Sequence, residues 1–86
     1  MYKFAYYDAV FYIHHLMDIK GQLCVGTWQI SHNGVPVTFI KTPSIDTAYT
    51  MFLDMANTMG EERFNARLEE VVSENRTRLK ESGVLA

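Results

Sequence analysis

The chain has 86 residues, with ten acidic against eight basic side chains for a formal net charge of -2, and is 48% hydrophobic and 13% aromatic. That length allows one domain, 1–86, and hides only about 60–65% of the surface an unfolded chain exposes, so the core is small and part of the apolar content is expected at the surface, where a contiguous patch marks a partner. The near-balanced charge supplies no basic field for a phosphate backbone, and the single cysteine, Cys24, excludes an internal disulfide and a thiolate zinc site within one chain.

Along the N-terminal segment, Tyr6, Ala9, Val10, Ile13, Leu16 and Met17 fall at the i, i+3, i+4, i+7 spacing of one helix face, which predicts a helix from Phe4 to Asp18. A strand is the alternative: alternation would group Tyr7, Ala9, Phe11, Ile13, His15 and Met17 on one side, and the aromatic richness suits it. Gly21 ends the element in either case. Asn33-Gly34, between two β-rich runs, predicts a hairpin with a two-residue type I′ turn, because both residues tolerate positive φ. Pairing across that turn sets Ile30 opposite Val37 and Trp28 opposite Phe39 on a core face, with Gln29 opposite Thr38 and Ser31 opposite Pro36 on a wet face. Pro36 cannot donate a ladder hydrogen bond and belongs at a sheet edge.

After the hairpin, Ser44 or Asp46 caps a helix whose apolar stripe is Ile45, Ala48, Tyr49, Phe52, Ala56 and Met59 and whose stop is Gly60. Met51, Met55 and Met59, four residues apart, are expected to fill core. A second helix from Glu61 to about Ser82 carries the narrower stripe Phe64, Leu68, Val71, Val72, Asn75 and Leu79, with glutamates early and basic residues late as the helix dipole prefers. Residues 83–86 are expected to fray. The resulting fold class is α+β, an antiparallel β-hairpin packed against helices in the order α-β-β-α-α, the N-terminal segment keeping its strand alternative. A two-stranded sheet is marginal alone, so a third strand from the N-terminal segment or from a second chain is the natural complement.

The residues that could carry chemistry make a thin set. His14 and His15 are consecutive and diverge by about 100° on a helix, so they do not grip one ion together, and pairing His14 with Asp18 or Asp8 with His15 offers two ligands where zinc takes three or four. Cys24 lies in a strand-like run beside Val25 and Gly26, where a small buried thiol is the common outcome. Glu61 and Glu62 are first-turn acids, Glu69 and Glu70 a solvated face, and the five glycines are scattered rather than gathered in a phosphate loop. No catalytic residue, metal or cofactor is implied, and the chain reads as a non-enzyme.

Six rings, Tyr2, Phe4, Tyr6, Tyr7, Phe11 and Tyr12, crowd the first dozen residues beyond what one helix face hides, and they form the expected interface of a small protein-interaction module. Its partner is expected to be a second copy, as a homodimer, or a larger protein that it regulates or inhibits. The alternative is a nucleic-acid-binding regulator using Arg63, Arg67, Arg76 and Arg78 of the last helix. With neither a signal-peptide apolar region nor about 20 consecutive apolar residues, the expectation is a cytoplasmic protein without membrane contact.

Overall fold

The computed structural model describes residues 2–81. Four strands, β1 (Tyr2–Tyr6), β2 (Ala9–Met17), β3 (Leu23–His32) and β4 (Val35–Lys41), form an antiparallel meander in the order β1-β2-β3-β4, and two helices, α1 (Ile45–Met59) and α2 (Glu61–Glu81), follow. The class is α+β, but the order is β-β-β-β-α-α, so the N-terminal helix expected from periodicity is replaced by a hairpin. The two layers make a slab of 36 × 30 × 17 Å in which both helices lie on one sheet face.

The N-terminal hairpin turns at Tyr7 and Asp8, both at positive φ (51° and 63°), and pairs Tyr6 with Ala9, Phe4 with Phe11 and Tyr2 with Ile13. Each strand alternates correctly, yet a two-residue turn flips the parity between them. Tyr2, Phe4 and Tyr6 share the helix-facing side of β1 with Ala9, Phe11 and Ile13 of β2. The three-residue step from Tyr6 to Ala9 arises from that flip, and with the four-residue step along β2 to Ile13 it imitates a helical stripe. The Asn33-Gly34 turn forms as expected, with φ of 53° and 76°.

Pairing in the β3-β4 hairpin departs from the expected register after two pairs. His32 opposes Val35 and Ser31 opposes Pro36, but a bulge then places Ile30 opposite Thr38, Gln29 opposite Phe39 and Trp28 opposite Ile40. Pro36 has no N–H for the ladder, and the extra residue, Val37, absorbs the break. Phe39 consequently leaves the expected core face for the open one, where it is 54% exposed. A larger irregularity separates His15 opposite Trp28 from Leu16 opposite Cys24, leaving Val25, Gly26 and Thr27 out of register. Gly26 there has a φ of 82°, and its carbonyl accepts a 2.9 Å bond from the Thr42 amide.

The core lies between sheet and helices: Phe4, Phe11, Ile13, Trp28 and Ile30 from the strands meet Ala48, Phe52, Ala56, Phe64 and Leu68. Phe11 and Phe52, both fully buried, cross edge-on at 5.1 Å, and each contributes about 1.5–3 kcal/mol by leaving water. Helix α1 begins at Ser44, whose hydroxyl accepts from the Asp46 amide at 3.2 Å, and ends at Gly60, with a φ of 85° and its amide on Ala56 O. Its expected stripe is the one that packs inward. Met51 and Met55, expected in the core, are instead exposed, because they lie off that stripe. Helix α2 is tied to the β4 edge where Asn75 Nδ2 donates to Pro36 O at 2.6 Å. The expected fraying of residues 83–86 lies outside the described residues.

Candidate functional site

The six N-terminal rings do not gather into one surface. Phe4 and Phe11 are core residues, stacked at 5.4 Å. Tyr2, at the start of β1, is 43% exposed and meets Tyr49 edge-on at 5.5 Å. Tyr6 and Tyr7 are half-buried at the other end of the hairpin, 4.3 Å from each other and against Phe64. The Tyr6 hydroxyl donates to Asn57 Oδ1, and partial burial, reinforced by the neighbouring Tyr7, holds its pKa above the ordinary 10.0. Tyr12 sits on the opposite face of the sheet beneath Lys3, whose Nζ is 6.0 Å from the ring centre. Only Tyr2, Tyr6 and Tyr7 therefore offer ring surface on the helix side, and they are split between the two ends of β1.

His14 and His15 are strand neighbours and point to opposite faces. The His14 ring donates Nδ1–H to His15 O at 3.0 Å and leaves Nε2 to accept from Gln29 Nε2 at 3.4 Å, so both of its nitrogens are engaged. His15 stacks on Trp28, with Nδ1 buried and unpaired. His32 donates Nδ1–H to Val10 O at 2.8 Å and accepts from Asn33 Nδ2. Among the described residues, no three His, Cys, Asp or Glu side chains cluster as a metal site requires. Cys24 is a half-buried free thiol opposite Leu16.

Sequence reasoning missed the most exposed apolar surface. Beyond the irregularity at Gly26, β2 and β3 continue as a hairpin arm carrying Met17 and Leu23, directly opposite each other and both 56% exposed, with Ile19 fully exposed at the tip and Val25 90% exposed at the base. The tip is tightly built. Asp18 Oδ1 accepts from the Lys20 and Gln22 amides at 2.8 and 2.9 Å, Asp18 N donates to Gln22 O, and Gly21 N donates to Asp18 O. The Gly26–Thr42 bond fixes the base to the end of β4. The legible signal was Asp18 and Gly21 between two short apolar runs, the composition of a five-residue hairpin loop.

A groove of about 320 Å³ between β4, α1 and α2 is lined by Val37, Met55, Met59, Phe64, Leu68 and Val71. The arginines of α2 divide between two sides: at about 100° per residue, Arg63, Arg67 and Arg78 fall within about 60° of one another and Arg76 lies nearly opposite. They make no single basic stripe, and Arg67 is engaged with Glu70 at 2.9 Å. No helix among the described residues is long and apolar enough to cross a membrane. Comparison with protein-family models, with curated proteins and with solved structures returned no match.

Proposed function

We propose that this chain is a small protein-interaction module, a regulator or inhibitor that docks on a larger protein by presenting the β2-β3 arm to an apolar cleft. The observation that carries the reading is the arm itself: Met17, Ile19, Leu23 and Val25 stand in water on one short hairpin, while the described helices cover only the sheet behind it. Apolar residues concentrated in this way are unfavourable in a free monomer and become favourable when a partner covers them. The Asp18 turn and the Gly26–Thr42 bond hold the arm in shape before binding, so little conformational freedom is lost on docking.

Burying a side chain such as Ile19 or Val25 is worth about 1.5–3 kcal/mol, so replacing both with aspartate weakens binding by at least about a hundredfold. The test compares the proteins captured by the wild-type chain with those captured by the Ile19→Asp/Val25→Asp variant, then titrates the purified partner with each. A partner lost to the variant, while its circular dichroism spectrum stays unchanged, supports the reading. Equal binding by both chains ends it.

A further inference from the structure

We infer that β1 is a pairing edge for a second copy of this chain, so that the sheet continues across a two-fold axis into eight strands. This inference rests on the interaction-module reading above and assigns a different surface to it, the one used for self-association.

The two edges of the sheet are built differently. β4 carries Pro36, is bulged at Val37, ends in Lys41, and has Pro36 O occupied by the Asn75 side chain. These are the devices that keep an edge strand from recruiting another. β1 is short and carries one lysine, but it lacks the other devices. It contains no proline, its five pairs with β2 run without a register shift, and among the described residues no helix or loop backbone bonds to it. Its only charge, Lys3, lies over the Tyr12 ring on the open face.

The choice of a second copy follows from the hydrogen-bond phase. In a two-residue hairpin the flanking pair, here Tyr6 and Ala9, exchanges both backbone bonds, and such pairs recur at every second residue. Tyr6, Phe4 and Tyr2 thus direct their N–H and C=O groups to β2, and Lys3 and Ala5 direct theirs outward. Two outward residues centred on Phe4 are self-complementary under antiparallel two-fold pairing: Lys3 of one copy exchanges both bonds with Ala5 of the other, and Ala5 with Lys3, for four bonds in all. The register also places like faces together. Tyr2, Phe4 and Tyr6 of both copies stay on the helix side, where Tyr2 and Tyr49 flank the seam, while each Lys3 faces an alanine rather than the other lysine. A parallel or shifted strand would lose part of this match.

The discriminating substitution is Ala5→Pro. It removes an N–H that points away from β2, so the fold tolerates it as edge strands tolerate proline, while the ring occupies the space of the incoming strand. Sedimentation of the wild-type chain from low micromolar to high concentration is expected to show a doubling of mass. Ala5→Pro is expected to weaken that association at least about tenfold with an unchanged circular dichroism spectrum, whereas Ile19→Asp leaves it intact. Should Ala5→Pro fail to fold, amide exchange of the wild type decides: the Lys3 and Ala5 amides are protected at high concentration and become fast on dilution. A monomer at every concentration overturns the inference and leaves the docking arm standing. A dimer whose Lys3 and Ala5 amides exchange freely, or one abolished by Ile19→Asp but kept by Ala5→Pro, also overturns it and assigns self-association to the arm.

Discussion

His15 and Trp28 stand directly opposite each other on β2 and β3 with their rings stacked, centroids 4.1 Å apart and planes 28° apart. The Trp28 indole is anchored through its Nε1–H to Thr42 O at 3.0 Å, while His15 Nδ1 is buried without a partner. A buried polar atom left unpaired costs about 1–3 kcal/mol, so the imidazole contributes packing and carries a penalty at the same time. His15→Phe keeps the stack and removes the penalty. Urea unfolding is expected to show the variant as stable as the wild type or more stable by up to about 2 kcal/mol; a loss above about 1 kcal/mol would mean that Nδ1 has a bonded partner in solution.

The Tyr7–Asp8 turn holds a tyrosine and an aspartate in the left-handed region, which glycine adopts at least cost, aspartate at some cost and tyrosine rarely. Tyr7 is kept there by its packing against Tyr6 and Phe64, which a smaller residue would forfeit. Asp8 is exposed and makes no such contact. Asp8→Gly is therefore expected to stabilise the domain by roughly 0.5–1 kcal/mol in thermal or denaturant unfolding, with the same β1-β2 register. A destabilised variant would show that the Asp8 side chain braces the turn.

Much of the C-terminal half was legible, because Ser44, Gly60 and the two apolar stripes are local signals that agree with one another. The N-terminal hairpin was not, since its turn is written Tyr-Asp rather than Asn-Gly and its parity flip imitates a helical period. Phe39 was assigned to the wrong face because no local rule announces where a proline's missing donor will be absorbed by a bulge. The arm was not legible because Met17, Ile19, Leu23 and Val25 are ordinary core formers, and no local rule announces that the irregularity between His15 and Leu16 will leave them outside the helices' cover. Truncation distinguishes the open-face Phe39 from the buried Phe52. Phe52→Ala is expected to lose about 3–5 kcal/mol and Phe39→Ser about 0.5 kcal/mol or less, and comparable losses would restore the unbulged register.

The Tyr6 hydroxyl links the N-terminal hairpin to α1 through Asn57, and partial burial with the Tyr7 ring beside it raises its pKa above 10.0. The folded state therefore holds this proton more tightly than the unfolded state. Its contribution is fully present below pH 10.0 and is lost as pH rises through the folded-state value, because in that window the unfolded chain binds fewer protons than the native one. Alkaline denaturation curves are expected to steepen above pH 10.0 for the wild type and to flatten in that window for Tyr6→Phe. Identical curves for the two proteins would place the hydroxyl in open water.

Asp18 organises the tip of the arm by accepting from two amides, those of Lys20 and Gln22, with Ile19 and Gly21 completing the turn. Because the turn is exposed, losing its acceptor should change global stability by only about 1 kcal/mol or less. The local consequence is larger. Asp18→Ala frees the Lys20 and Gln22 amides, widens the conformations that Ile19 samples, and adds an ordering cost to every docking event. Amide exchange at those two positions is expected to accelerate while the β2 and β3 amides near Ile13 and Ile30 stay protected, and affinity for an arm-dependent partner is expected to fall without any apolar contact being removed. Unchanged exchange at Lys20 and Gln22 would show that the backbone bonds of the turn suffice to shape the tip, and that the arm's preorganisation does not depend on Asp18.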